Sequence, residues 1–150
     1  MLSAHERSMA DWLVALSEDN WEICAREGLL GLGRNGVQRL GRMVDGDRVW
    51  VYVSTKHLGR QTPRVRRIRA VARITGPVQQ LADPPWAARG NERFAAARPI
   101  QGERRLDLPG DLLPRLSLAQ GPGPWGLRLL NAPVPLATSD VAQLLAAAGS

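Results

Sequence analysis

Residues 12–21 have the sequence WLVALSEDNW, an apolar run that ends abruptly at four polar residues between two tryptophans. The run from residue 12 to residue 16 is apolar throughout, which predicts a strand buried on both faces. Asp19 followed by Glu22 has the form of a capping box, which predicts a short helix that ends near Gly28. The polar edge therefore has two interpretations: it only ends a strand and begins a helix, or it forms one wall of a binding site.

The segments that follow predict a domain with more strands than helices. A short helix is predicted over residues 36–43 with Asn35 as its N-cap, and a turn at residues 45–47 leads into the strand RVWVYVS at residues 48–54. Other strands are predicted within residues 64–78, 93–100, 104–108 and 127–134, and helices over residues 111–116 and 140–148, the last with Ser139 as its N-cap. This pattern favours an α+β fold in one domain, residues 1–150 with a core of about 10–148, built as a small β-barrel of about five to six strands with short peripheral helices.

The strand predicted around residues 64–74 alternates in polarity. One face would carry the apolar residues Ile68, Ala70, Ala72 and Ile74, and the other would carry Arg67, Arg69, Val71 and Arg73. The arginines of such a row can contact phosphate and position a nucleic acid strand without recognising its sequence. The alternative is a solvated arginine face with no ligand.

The overall charge favours an acidic partner. The chain has a formal net charge of +6 and a pI near 11.1, which is typical of nucleic-acid-binding proteins. Only one of the 20 basic residues is a lysine, and a preference for arginine alongside much Ala, Gly and Pro also fits the codon bias of a GC-rich genome. The excess of positive charge therefore favours an acidic partner, whereas the preference for arginine over lysine says nothing about the partner.

The cysteine, histidine and hydropathy patterns exclude several classes of protein. One cysteine, Cys24, allows no internal disulfide, and with only His5 and His57 besides we expect no metal site and no cofactor. No apolar run approaches the roughly 20 residues that span a bilayer, and the opening stretch MLSAHERSMADW is too charged for a signal peptide. We therefore expect a cytoplasmic protein that does not enter a membrane, and a monomer.

The sequence has no recognisable catalytic motif. It lacks a nucleophile elbow, a phosphate-binding P-loop and a plausible catalytic triad. The stretch GLGRNG at residues 31–36 superficially resembles a dinucleotide loop, but its glycine spacing differs and no acidic residue ends the next strand. We therefore expect a binding protein and not an enzyme.

Four of the five tryptophans adjoin polar or loop segments. They are Trp12, Trp21, Trp86 and Trp125. An aromatic face in such a place can stack on a planar base, which is worth roughly 1–3 kcal/mol per base, or it can simply fill core volume. The fifth, Trp50, lies inside VWVYV, and this apolar setting favours a core role.

The ordered series of segments resembles the EVE domain family, in particular its compact prokaryotic members, which belong to the PUA-like superfamily together with YTH domains. WLVALSEDNWE at residues 12–22 is similar to the family's opening strand and Ser-Glu turn. LLGLGRNGVQRLGRMVDGDRVWVYVS at residues 29–54 is similar to its Trp-Gly-Val segment, short helix, Gly-Asp turn and next strand. Similar stretches follow at IRAVARITGPV (68–78), PPW (84–86), LLPRLSL (112–118) and WGLRLLNAPVPLATSDVAQLL (125–145), so the resemblance covers nearly the whole chain.

The resemblance implies a twisted PUA-like β-barrel with a pocket for a flipped-out base, with a modified cytosine in DNA as the expected ligand. A base that has left the stack exposes its edge and both faces, so a protein can recognise a modification on it. Carried over by position, the pocket residues would be Ser17, Glu18 and Asn20 at the mouth with Trp21 behind, Gly31 and Leu32 through their backbone, Arg34 or Asn35 as polar contacts, Tyr52 and Ser54 at a strand end, and Trp125 with Arg128 from the closing segment.

One departure from the family concerns the stacking aromatic of the pocket. The tryptophan that usually precedes Gly-Val is Leu30 here, so Trp12, Trp21 or Trp125 would have to replace it. Because relatives of this fold bind RNA, a module for RNA or tRNA is the main alternative. An enzyme with Glu18 as its general base and a protein-interaction role are the remaining hypotheses.

Overall fold

The computed structural model of the chain, which describes residues 9–59 and 61–149, has a curled sheet surrounded by short helices. The strands are β1 (Asp11–Ser17), β2 (Leu29–Leu32), β3 (Arg48–Thr55), β4 (Arg64–Ile74), β5 (Gln79–Gln80), β6 (Ala96–Pro109) and β7 (Val134–Pro135). The α-helices are α1 (Glu18–Glu27), α2 (Gly36–Leu40) and α3 (Thr138–Ala147), and 3-10 helices cover Ala87–Arg89, Gly110–Arg115, Ser117–Ala119 and Trp125–Asn131. The predicted α+β class, with a small barrel-like sheet and short helices, is confirmed. His5 and most of the charged stretch that opens the chain lie outside the described residues.

The sheet is mixed and open, so it forms a curled half-barrel. Its strand order is β2-β6-β4-β3-β1-β7, with β5 paired to β6 outside this path. β6 joins its two parts, because the first residues of β6 pair with β2 and β5 and the later ones pair with β4. β1 and β3 are parallel, which places Ser17 opposite Thr55 at the carboxyl ends of both strands. These two strand ends border the main cavity described below.

Two apolar clusters cover the two faces of the sheet. One contains Val14 and Val51, and the other contains Leu13 and Trp50. Neighbouring residues of β1 thus enter different clusters and are fully buried, so the prediction of a strand buried on both faces is confirmed. Trp50 is 1% exposed and is a core residue, as its apolar setting predicts.

Ser17 ends β1 and caps α1. Its Oγ accepts a hydrogen bond from the backbone N–H of Asn20 at 3.3 Å, and Gly28 ends the helix with a left-handed φ of 67°. The predicted helix and its end at Gly28 are confirmed, but the capping box that begins at Asp19 is wrong. Asp19 already lies inside the first helical turn, and its carboxylate contacts His57 Nδ1 at 2.5 Å instead.

β4 does not have the single apolar face that its alternating sequence predicts. Its register against β6 shifts between Ile68 and Ala70 and again between Val71 and Ala72. A β-bulge changes the side to which the following residues point. As a result Ile68 and Val71 pack in one cluster, and Ala70, Ala72 and Ile74 pack in the other.

The second half of the chain has fewer long strands than predicted. Residues 93–100 and 104–108 were expected to contain two strands, but they contribute to one, β6, because the stretch between them forms no turn. Residues 127–134 were expected to form a strand, but they mostly lie in the 3-10 helix Trp125–Asn131, followed by the short β7. The apolar residues of this helix do not alternate in burial, since Leu129 is buried while Leu127 and Leu130 are exposed.

Two helix boundaries also differ from the prediction. α2 ends at Leu40, and Asn35 precedes it with a positive φ of 55° and without a side-chain capping bond. α3 begins at Thr138, so Ser139 lies inside the helix, and the N-cap is Ala137. In the part of the chain that the structure describes, no helix is long and apolar enough to cross a bilayer.

Candidate functional site

A cavity of about 680 Å³, here called the main cavity, opens where β1 and β3 end. Its walls come from these strand ends, the start of β4, and the 3-10 helices Gly110–Arg115 and Trp125–Asn131. Asn20 of α1, Arg39 of α2, Leu58 from the loop between β3 and β4, and Phe94 just before β6 also line it. The volume falls in the range of about 300–1,000 Å³ that is usual for small-molecule sites.

Tyr52 and Trp125 form an aromatic corner of the main cavity. Their ring centroids are 6.5 Å apart and the ring planes are inclined by 52°. Because of this inclination a planar ligand can stack on only one of the two rings, and the other ring would contact its edge. Burial raises the pKa of the Tyr52 phenol, partly opposed by the charges of Arg66 and Arg64, so the phenol is protonated at neutral pH and can donate a hydrogen bond.

Polar side chains from β1, α1 and β3 lie together at the cavity. Ser17 and Asn20 are only 2% and 1% exposed, and Ser54 and Thr55 lie at the end of β3. Asn20 Oδ1 accepts a hydrogen bond from Asn91 Nδ2 at 2.6 Å. The Nδ2 of Asn20 is buried and has no hydrogen-bond partner among the described residues. A buried donor without a partner costs about 1–3 kcal/mol, so this group favours a ligand that offers it an acceptor.

Arg64 and Arg66 bring positive charge to the cavity. The register of β3 and β4 shifts between Val53 and Thr55, and Arg66 has a left-handed φ of 54°. Such a bulge redirects side chains, and a strained non-glycine backbone is often found at a functional site. Both residues line the cavity, and neither guanidinium group forms an ion pair or a hydrogen bond with a described residue. Asp111 contributes a carboxylate to the same lining.

Gly110 fixes the distance between the aromatic corner and the bulge. A Cβ atom at this position would lie 2.6 Å from the carbonyl oxygen of Arg66 and 2.9 Å from Tyr52 Cε1. Only glycine therefore allows the 3-10 helix after β6 to pack this closely between the two.

Five of the predicted ligand contacts meet in the main cavity. They are Ser17, Asn20, Tyr52, Ser54 and Trp125. The sequence separates Ser17 from Trp125 by more than a hundred positions, and the parallel pairing of β1 with β3 and the 3-10 helix Trp125–Asn131 bring the five together.

Glu18 and Trp21, which were predicted at the pocket mouth and behind it, lie elsewhere. Both line a separate groove between α1 and the sheet, together with Arg26 and Arg105. Residues 17 and 20 point to the cavity while residues 18 and 21 do not, because successive positions of α1 lie on different faces of the helix.

Gly31 and Leu32, predicted to offer backbone contacts to the ligand, lie in β2 and are buried outside the cavity lining. A Cβ at Gly31 would lie 2.5 Å from Cη2 of Trp86, so the indole packs directly on this glycine. Leu30 is fully buried in the same apolar cluster as Trp86. The absence of a tryptophan at Leu30 therefore leaves the aromatic corner of the main cavity unchanged.

The three remaining predicted contacts are also outside the main cavity. Arg34 lines a neighbouring cleft, and Asn35 is an exposed residue before α2. Arg128 donates to the carbonyl oxygens of Leu118 at 2.5 Å and Pro122 at 3.4 Å, so its side chain holds the preceding loop.

The predicted phosphate contacts on β4 are engaged in ion pairs. Arg67 Nε lies 2.8 Å from Asp107 Oδ1, and Arg69 Nη1 lies 3.0 Å from the same atom. Arg73 Nε lies 2.5 Å from Glu103 Oε1. The hydrogen bond from Arg67 lowers the pKa of the Asp107 carboxyl. This arginine row is thus largely neutralised by the facing acids of β6.

Sequence reasoning missed several residues that line the cavity. They include Arg64, Arg66, Phe94 and Asp111. Phe94 is the one phenylalanine of the chain, and this rarity could have marked it as a candidate for the binding site. The two arginines gave no such signal, because simple alternation places residues 64 and 66 on the apolar side of the strand.

Comparison with known proteins identifies the fold and no closer relationship. No family model matches the chain, and no curated protein matches it. Among solved structures, the YTH domain of Zygosaccharomyces rouxii MRB1, in complex with N6-methyladenosine RNA, superposes with a TM-score of 0.61 at 14% identity, over 91% of this chain and 84% of that one. The chain has a YTH-like fold.

Two further solved structures share this fold. A hypothetical protein from Leishmania major has a TM-score of 0.61 at 18% identity, over 93% of this chain and 94% of that one. Rpa0253 from Rhodopseudomonas palustris has a TM-score of 0.57 at 18% identity, over 94% of each chain. At such identities the likeness concerns the fold alone.

Proposed function

We propose that this protein is a non-enzymatic nucleic-acid-binding module whose main cavity receives one flipped-out, modified base. The observation that carries the proposal is the meeting of an aromatic corner, Tyr52 and Trp125, with two arginines, Arg64 and Arg66, that form no ion pair within residues 9–59 and 61–149. An aromatic face stacks on a base, and a guanidinium group binds the phosphate attached to it. A nucleotide is the ligand that satisfies both features at once.

Each wall of the cavity has a separate task in this proposal. One face of the base stacks on Trp125, which contributes roughly 1–3 kcal/mol, and Tyr52 contacts its edge. Asn20 and Ser54 offer hydrogen bonds to polar atoms of that edge. An added methyl group or similar modification is recognised by its fit in the remaining volume, because a flipped base exposes its whole edge.

The favoured ligand is a modified cytosine in DNA, which is what the resemblance to EVE domains implies. A methylated adenine in RNA is the second candidate, supported by the shared fold with a YTH domain in complex with N6-methyladenosine RNA. The two candidates differ in the size of the base and in the sugar, so a panel of nucleosides from both classes separates them.

We propose binding without chemical conversion. Among the described residues that line the cavity, Asp111 is the one carboxylate, and no histidine or cysteine accompanies it. General acid and base catalysis needs a titratable group within hydrogen-bond reach of the reacting atom. If the bound nucleoside were converted to a product, and Asp111→Asn abolished the conversion but not the binding, the protein would be an enzyme.

The experiment is a titration with free modified nucleosides followed by thermal unfolding. A ligand that binds only the folded state raises its stability by about 2.7 kcal/mol at a hundred times its Kd. We expect one modified nucleoside to raise the Tm of the wild type, and the effect to disappear in Trp125→Ala but to persist in Trp21→Ala, which removes the same side chain from the separate groove. A shift that survives in Trp125→Ala would place the ligand elsewhere.

A further inference from the structure

A second concavity adjoins the main cavity and shares Leu58 and Phe94 with it. Its volume is about 510 Å³. Three segments that are distant in sequence form it: the turn before α2, with Arg34; the loop between β3 and β4, with Leu58; and the stretch before β6, with Arg89 and Arg93. We call it the arginine cleft.

The cations of the arginine cleft are available to a ligand. Arg34 and Arg93 are exposed, and neither guanidinium group forms an ion pair or a hydrogen bond with a described residue. Arg89 Nη1 lies 3.7 Å from Asp19 Oδ2, a weak contact that His57 shares at 2.5 Å. Glu92 is the one carboxylate among the described residues of the lining, so the cleft has an excess of positive charge.

The ridge between the two concavities is well anchored. The Phe94 ring packs on Gly33, where a Cβ would lie 2.7 Å from its Cε1, and its centroid is 6.2 Å from that of Trp86. Trp86 itself is fully buried. A strand that leaves the main cavity over Phe94 therefore meets a fixed apolar surface and then the free arginines.

We propose that the arginine cleft binds the phosphodiester of the nucleotide next to the flipped base. The inference rests on the proposed function, because it needs a strand that enters the main cavity. The planar guanidinium fork matches a phosphate group, and here the charge is unpaired, unlike the arginine row on β4 whose members contact acids of β6. The cleft adds affinity and orientation, and it adds no recognition of the modification.

The test compares two double variants with equal changes of charge. Arg34→Ala/Arg93→Ala removes the free cations of the cleft, and Arg26→Ala/Arg105→Ala removes two exposed arginines from the groove at Trp21. Each protein is titrated with a fluorescein-labelled single-stranded pentanucleotide that carries the modified base in its centre, with the unmodified twin, and with the free modified nucleoside. The pentanucleotide titrations are repeated over a series of NaCl concentrations.

We expect the cleft variant to bind both pentanucleotides about tenfold or more weakly than the wild type, with its preference for the modified base unchanged. Its affinity for the nucleoside, which has no phosphate, should equal that of the wild type. The slope of log K against log salt should become shallower by about 0.7 for each lost phosphate contact. The control variant should differ from the wild type by less than about twofold.

Two results would overturn the inference. One is an equal loss of pentanucleotide affinity in both double variants, since that would reflect net charge alone. The other is an unchanged affinity and salt slope in Arg34→Ala/Arg93→Ala. The proposed function fails by a different readout, namely a wild type that binds the modified pentanucleotide no better than its unmodified twin.

Discussion

Arg98 is a buried cation whose removal should strongly destabilise the fold. It is 5% exposed in β6, and its Nε donates to the carbonyl oxygen of Gly76 at 2.9 Å. Its Nη1 donates to the carbonyl oxygens of Leu40 at 3.0 Å and of Met43, and its Nη2 contacts Asp45 Oδ1 at 2.7 Å. One side chain thus ties β6 to the segment after α2 and to the turn after β4. Arg98→Met is the perturbation of choice, because methionine keeps most of the apolar stem and removes every donor.

The expected loss follows from the partners that remain. Three carbonyl groups of buried residues lose a charged donor, and each buried group without a partner costs about 1–3 kcal/mol. Leu40 keeps a weak bond from the backbone N–H of Met43 at 3.4 Å, and the Asp45 side chain, 59% exposed, returns to water at little cost. The free energy of unfolding should therefore fall by about 3–5 kcal/mol, which lowers Tm by on the order of 10 °C in a chain of this size.

The assay is equilibrium unfolding in urea, monitored by tryptophan fluorescence and circular dichroism. Arg67→Met is the matched control, because its guanidinium group pairs with Asp107 at the surface, where solvent screens the ion pair, so its loss should change the stability little. The reasoning would be refuted if Arg98→Met and Arg67→Met lost the same small amount of stability.

Three other variants test particular contacts. Gly31→Ala should lose about 1–3 kcal/mol of unfolding free energy, because its Cβ would lie 2.5 Å from the Trp86 ring, and urea unfolding that matches the wild type would contradict this. Burial raises the pKa of the Cys24 thiol to about 12, so it should resist a thiol reagent at pH 8 until the protein unfolds. Since that pKa is about 9 in the unfolded chain, stability should decline as pH rises above about 9, and Cys24→Ala should show a shallower decline. Trp21→Ala should lose stability but no affinity for the modified nucleoside, because Trp21 packs against the core beside the separate groove; a loss of affinity would place the ligand there.

The elements that depend on local sequence could be predicted. The apolar run of β1, the glycine that ends α1 and the strand β3 each follow from residues within a few positions of one another. The N-cap was misassigned by two positions, because Ser17 and Asp19 are both good capping residues and only the pairing of Ser17 with Thr55 in the sheet fixes where the strand ends.

The composition of the cavity could be predicted only in part. Ser17, Tyr52 and Trp125 came from the family resemblance, and the structure brings them together. Arg64 and Arg66 could not be predicted, because a bulge breaks the alternation of β4, and no residue type in that stretch marks the bulge.

Which arginines form ion pairs could not be predicted from the sequence either. Arg67 and Arg73 carry the same charge as Arg34 and Arg93, but acids of β6 face only the first two. Which cations are neutralised depends on strand register between distant segments. The three-dimensional structure is therefore needed to move the proposed phosphate contacts from the row Arg67, Arg69 and Arg73 to the cavity rim and the arginine cleft.

The central claim, that the main cavity recognises one modified base, is tested most directly by the ratio of two dissociation constants. The measurement is fluorescence anisotropy with single-stranded DNA carrying one modified cytosine, single-stranded RNA carrying one N6-methyladenine, and the unmodified twin of each, for the wild type and for Trp125→Ala. We predict that the wild type binds one modified strand about tenfold or more tightly than its twin, and that Trp125→Ala reduces this preference to about twofold or less. Equal affinity of the wild type for modified and unmodified strands across the panel would contradict the claim.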